Sequence, residues 1–121
     1  MRILFAPNSF KGSISAREIC SRASFLTGGY KVKFMPFSDG GDGVLDVFSA
    51  AFGAAKLYKV KALDALGRCK AAPYLILPDG KICVIESAKV CGFGELKKSE
   101  LDIMHASSYG IGQVIKAAYK K

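Results

Sequence analysis

The chain has 121 residues, a length that suits one small domain and is short for a two-lobed enzyme that closes over a nucleotide. Half of the residues are hydrophobic and 23% are charged, which excludes a disordered chain. The formal charge of +8 comes from lysines and arginines scattered along the sequence rather than gathered into a stripe with interleaved aromatics, so a nucleic-acid binder is not expected. The N-terminal MRILFAPNS has too few apolar residues before Pro7 for a signal-peptide core or a membrane span, and a soluble, cytoplasmic protein is the expectation. Cys20, Cys69, Cys83 and Cys91 form no C-x-x-C pair and His105 is the one histidine, so zinc spacings are absent and four buried, reduced thiols are expected.

Arg2 to Ala6 is an apolar run closed by Pro7 and reads as a strand buried on both faces. After the loop PNSFKGS, the sequence SARE places Glu18 three residues beyond Ser15, the capping-box spacing of a helix start. Ile19, Ala23 and Leu26 follow at helical spacing, and Gly28 with Gly29 stops the helix. KVKFMPF, residues 31–37, is a second strand. VLDVFSAAF then carries Val44, Val47, Phe48, Ala51 and Phe52 on one helical face. Strand, helix, strand, helix predicts a parallel α/β start with right-handed crossovers.

The pattern changes in the second half. KLYKVKALD alternates apolar and polar residues, DALG reads as a turn, and APYLIL and KICVIES flank PDGK, a hairpin signal because Pro presets φ and Gly accepts a positive one. An antiparallel meander is therefore expected. Residues 92–97 are loop-like, the sequence from Ser99 onward is amphipathic again, and a last helix holds Gly110 and Gly112 near its start, with Val114, Ile115 and Ala118 at helical spacing. No linker composition divides the chain, so residues 1–121 are read as a single domain.

In an α/β sheet, ligands collect at the carboxyl ends of parallel strands, in the loops that lead into helices. Two loops qualify. NSFKGS contains Ser9, Lys11 and Ser13 and no acid; an ammonium with helix-start N–H groups suits a carboxylate or phosphate, although the loop is not a Walker A sequence. SDGGDG has the opposite sign: Asp39 and Asp42 suit magnesium or substrate hydroxyls, and Gly40, Gly41 and Gly43 allow close backbone approach, but spacing alone makes Asp42 first of all the expected cap of the next helix. Glu86, at the end of an apolar run, is either solvated or holding something. YGIGQVI lacks the third glycine of a dinucleotide fingerprint, and no nucleophile elbow supports His105, expected in a helix, as a hydrolase base.

Read with their flanks, ILFAPNSFKGSISA, FSDGGDGV, VIESAKVCGF and SSYGIGQVI occur in the order and approximate spacing of the N-terminal part of bacterial type I glycerate kinases, a family that the chain resembles over essentially its whole length. The resemblance implies ATP-dependent phosphorylation of D-glycerate to 2-phosphoglycerate, with magnesium. It implies Lys11 and Asp39 as catalytic residues, Asp39 also as the metal ligand, and Asn8, Ser9, Gly40, Gly41, Asp42, Glu86, Tyr109, Gly110 and Gly112 as substrate-binding residues lining one cleft. Two positions depart from the family pattern: Asn8 stands where the family usually has Asp, and Asp42 where it usually has Glu. The family's next hallmark, a glycine-rich segment associated with the nucleotide, would begin just after Lys121. The chain is therefore expected to be the glycerate and magnesium side of a larger two-domain kinase fold, as a truncated product, half of a split enzyme completed by a separate chain, or a homo-oligomer. The alternative is a non-catalytic kinase remnant acting as a small-anion-binding or interaction module.

Overall fold

The computed structural model describes every residue from Met1 to Lys121. Its contacts group into two compact units, Met1–Gly53 and Ala54–Lys121. No helix is long and apolar enough to cross a membrane.

The first unit runs β1 (Arg2–Phe5), α1 (Ala16–Ala23), a 3-10 turn (Ser24–Leu26), β2 (Lys31–Phe34) and α2 (Val44–Ala51). β1 and β2 pair in parallel, Arg2 opposite Lys31 and Phe5 opposite Phe34, as the strand and helix alternation predicts. Both-face burial of β1 is not observed. Ile3 and Phe5, with Val32 and Phe34, are half-buried, whereas Arg2, Leu4, Lys31 and Lys33 on the other face are exposed. The physical reason is the strand count: with only two strands, this sheet is far from the doubly covered parallel sheets whose strands are apolar throughout. Phe5 and Phe34 meet edge to face, their centroids 5.7 Å apart.

Ser15 caps α1 by accepting the Glu18 N–H at 3.2 Å. The return arm of the expected capping box is absent, because the Glu18 carboxylate is taken instead by Arg22, one turn further on, at 2.7 Å. The buried positions of α1 are Ala16 and Cys20, while Leu26, expected on the apolar face, is exposed in the 3-10 turn. Gly28 and Gly29, both at positive φ, end this segment as anticipated.

The second unit runs β3 (Lys56–Leu63), β4 (Cys69–Ile76), β5 (Cys83–Ile85), α3 (Ser87–Cys91), two 3-10 turns (Phe93–Glu95 and Lys98–Glu100) and α4 (Tyr109–Tyr119). The sheet order is β3-β4-β5 with both pairings antiparallel, the meander that the turn sequences predict. In the PDGK hairpin, Leu77 N–H donates to the Ile82 carbonyl at 2.9 Å and Gly80 takes a positive φ. The DALG turn is organised by Asp64: one carboxylate oxygen accepts the N–H groups of Leu66 and Arg68, each at 2.9 Å, and the other accepts Arg68 Nε at 2.7 Å. The core packs Ala62, Ala72, Tyr74, Val90 and Val114 together, flanked by Tyr58, Val60, Ile76, Ile85, Ile111 and Ala118. Full burial of a side chain such as Val114 contributes about 1.5–3 kcal/mol.

Three expectations are corrected here. The last helix, α4, starts at Tyr109, in keeping with Gly110 and Gly112 near its start, and His105, expected in a helix, lies ahead of it. Asp102 accepts the Met104 N–H at 2.9 Å and lies 2.7 Å from the His105 ring, a local turn that competes with helix, so His105 is an exposed turn residue. Residues 87–91, quoted within the motif VIESAKVCGF without a helix being expected there, form the short α3. All four cysteines are free, but only Cys20 is buried; Cys69 and Cys83 are exposed, each as the first residue of its strand, and Cys91 is half-buried.

Candidate functional site

In the first unit, the loop after β1 closes on itself. Phe10 N–H donates to the Ile14 carbonyl at 3.0 Å, Ser13 and Ile14 return N–H groups to the Phe10 carbonyl at 2.9 and 3.2 Å, and Gly12 supplies the positive φ that so tight a turn needs. Lys11 is exposed at its tip. At the loop's entrance, Asn8 Oδ1 accepts the Ser9 N–H at 2.7 Å, with the Ser9 hydroxyl at 3.5 Å. An exposed ammonium and a fixed polar pair precede the capped start of α1, a composition suited to a small anion.

The loop after β2 is equally ordered by its own side chains. Gly40 N–H donates to Ser38 Oγ and Gly41 N–H to Asp39 Oδ1, each at 3.2 Å. Asp39 is thus exposed yet anchored, which holds a negative charge at a defined point of the loop. Asp42 does not occupy the cap position of α2. Gly43 does, in the left-handed conformation at φ 84°, and Asp42 stands exposed one residue earlier. No group of three or more His, Cys, Asp or Glu side chains gathers to hold a metal. Magnesium is commonly bound through one or two carboxylates, with water and substrate phosphate completing its shell, and Asp39 fits that smaller role.

In the second unit, Glu86 stands at the residue before α3, without a side-chain capping bond, and is 2% exposed, which removes the solvated reading of this carboxylate. Its carbonyl accepts the Lys89 N–H at 3.0 Å. Tyr109 is exposed at the first position of α4, with its N–H on Ser107 Oγ at 3.1 Å. Gly110 is buried against the Leu63 carbonyl and Val90, whereas the space around Gly112 is open. Ser108, Tyr109, Gly112, Gln113 and Lys116 line a cavity of ≈ 380 Å³. Gln113 and Lys116 are absent from the sequence-based set. Gln113 Oε1 accepts the Leu63 N–H at 2.8 Å, which ties α4 to the end of β3. A legible signal existed: positions 109, 112, 113 and 116 share one helix face by their spacing.

Two polar loops that each follow a parallel strand and lead into a helix define an α/β protein of the kind that takes ligands at strand ends. A model of the glycerate kinase family matches residues 3–121, and the chain belongs to that family. It is 33% identical to an uncharacterised protein of Synechocystis sp. over 99% of this chain and 33% of that protein. It is 32% identical to a glycerate kinase of Halalkalibacterium halodurans, over 93% of this chain and 30% of that one, and 30% identical to glycerate 2-kinase of Escherichia coli, over 95% and 31%. A crystal structure of a Salmonella typhimurium LT2 protein provisionally assigned as glycerate kinase 2 superposes with a TM-score of 0.74 at 26% identity, covering 99% of this chain and 33% of that one. The chain spans about a third of the length of the relatives it matches.

Proposed function

We propose that this chain supplies the glycerate-side residues of a cytoplasmic kinase that transfers the terminal phosphoryl group of ATP to D-glycerate, giving 2-phosphoglycerate. The observation that carries the reading is the anchored, exposed Asp39 in a loop of the family's pattern. Phosphoryl transfer depends mainly on positioning and charge neutralisation. Asp39 would accept the proton of the attacking hydroxyl and hold Mg2+, which when bound neutralises phosphate charge. Lys11 provides the cation for the substrate carboxylate or a phosphate oxygen, and Ser9 and Asn8 provide hydrogen bonds beside it. The open backbone at Gly40 and Gly41 admits the small substrate, with Asp42 beside it. Glu86, Tyr109, Gly110 and Gly112 are assigned to the same reaction through their family motifs. The nucleotide side belongs to the rest of the kinase, present in a longer or a separate chain, or in an assembly of copies.

Calorimetric titration of the chain with D-glycerate and magnesium tests this reading. A saturable heat is expected, with affinity lowered about tenfold or more in Asp39→Asn, the loss of a hydrogen bond to a charged group. Equal heats, or none in either protein, would remove the assignment.

A second reading is a non-catalytic module that binds small anions or a partner. Asn8 favours it, because its side-chain carbonyl is committed to the Ser9 N–H where the family pattern has a carboxylate. Glycerate-dependent ATP turnover that scales with chain concentration and stops without magnesium would rule this reading out.

A further inference from the structure

Between α3 and α4 the chain runs past the β3–β4 turn without entering the core. No residue from Gly94 to Ser108 is buried, and Ile103 and Met104 are 90% and 83% exposed. Its internal bonds are short in reach: Glu100 N–H donates to the Lys97 carbonyl, Lys97 N–H to the Glu100 carboxylate, and Ala106 N–H to the Asp102 carbonyl. Three polar contacts tie this stretch to one small patch, residues 65–70. Arg68, already bonded to Asp64, reaches Glu100 Oε1 at 2.7 Å, Lys70 Nζ meets Glu95 Oε2 at 2.9 Å, and Ser107 N–H donates to the Ala65 carbonyl at 2.9 Å. The four ion-pairing side chains are between 25% and 49% exposed, a setting in which such pairs are weak and are screened by salt.

A segment with no buried side chain, held by solvated polar contacts, opens locally at low free energy, ahead of the core. The helix it leads into is held differently: Gly110 packs on the Leu63 carbonyl and Val90, Gln113 accepts the Leu63 N–H, and Val114 is fully buried. The boundary between the two falls at Ser108 and Tyr109, which line the ≈ 380 Å³ cavity together with Gly112, Gln113 and Lys116. We propose that residues 94–108 are a strap that opens and closes as one piece over a fixed α4, clasped by the Arg68–Glu100 and Lys70–Glu95 pairs. Opening swings the Ser108 wall of the cavity away from the wall formed by Gln113 and Lys116. Tyr109 is the pivot: its N–H rests on Ser107 Oγ at 3.1 Å and loses that partner when the strap lifts. The cavity thus has one wall held by charge, and therefore sensitive to ionic strength, and one held by packing. The strap needs no assumption about what the cavity binds, so it stands or falls independently of the glycerate reading.

Residue-resolved amide exchange on the intact chain tests this, in the parent and in Glu95→Gln with Glu100→Gln, which keeps the side-chain shapes and removes both clasps. Exchange at the N–H groups of Glu100, Ala106, Ser107 and Tyr109 is expected to speed up together, about three- to tenfold. Added salt moves the same amides of the parent in the same direction, which keeps the test in force if the double variant does not fold. The amides of β3 and β4, and those of α4 from Val114 onward, keep their rates. Glu18→Gln, which breaks the Arg22 pair of α1 in the first unit, leaves the strap unchanged. Strap amides that exchange at the unprotected rate in the parent overturn the proposal, because there is then no closed state. So do rates indifferent to both salt and the two substitutions, and rates equal to those of the core, which would make opening a global unfolding. A Tyr109 N–H that stays protected while the strap opens overturns the link to the cavity.

Discussion

Gly110 rests against the carbonyl of Leu63 with no room for a side chain: a Cβ at this position would overlap the Leu63 oxygen and press on Val90. Three residues later, Gln113 accepts the N–H of the same leucine. The start of α4 is thus joined to the end of β3 by one close approach and one hydrogen bond on a single residue. Gly110→Ala is expected to lower stability by about 1–3 kcal/mol, the cost of overpacking a filled site. Gly112→Ala, with open space around it, is expected to cost far less in packing. Urea unfolding of the two variants measures the difference; equal losses would contradict the close-approach account.

Asp64 gives the fold an acid-sensitive turn. Burial raises the pKa of its carboxyl, but the Arg68 N–H and guanidinium and the Leu66 N–H outweigh burial and hold it below the ordinary value. A carboxyl with a depressed folded-state pKa contributes fully above its unfolded value, about 3.9, and loses that contribution as pH falls through the folded value. Asp64→Asn is expected to cost about 1.5–3 kcal/mol near neutral pH, the range for hydrogen bonds to a charged group. The gap from the parent chain should close as pH drops below about 4. Unfolding measured across an acid pH series checks this, and a gap independent of pH would refute it.

Thiol labelling distinguishes the four cysteines. Cys69 and Cys83 are exposed and free, Cys91 is half-buried, and Cys20 is buried. Burial pushes the thiols of both Cys20 and Cys83 up, and the thiolate is the reactive form. With a chromogenic disulfide reagent, Cys69 is expected to react first and Cys83 later than its exposure alone suggests, its rate climbing as pH rises. Cys20 should react only on unfolding. Mass-spectrometric mapping of the labelled residues gives the order, and early labelling of Cys20 would contradict its burial in α1.

Signals with a short reach were legible in the sequence. The Ser15 cap, the glycine stop after α1, the PDGK hairpin and the strand and helix alternation all appear in the structure, because each is decided by residues within a few positions of one another. Competing local partners were harder to foresee. Arg22 takes the Glu18 carboxylate that a capping box would use, and the Asp102 turn holds His105 out of a helix. In both cases a neighbouring side chain offers the same group a second partner within one turn.

The motif residues themselves were visible from residue type and order, including the loop from Asp39 to Gly43 and the pair Gly110 and Gly112. By itself the sequence determined the family, the parallel start, the antiparallel meander and the chemical character of the two loops, since periodicity, turn chemistry and motif order are properties of neighbours along the chain. Only the tertiary structure decided that Glu86 is buried, that Gly110 is needed because of Leu63, that Gln113 ties α4 to β3, and that one face of the two-stranded sheet is a bare cationic surface. Each of these depends on residues far apart in sequence, or on how many strands are present to cover a face, and no local pattern encodes either.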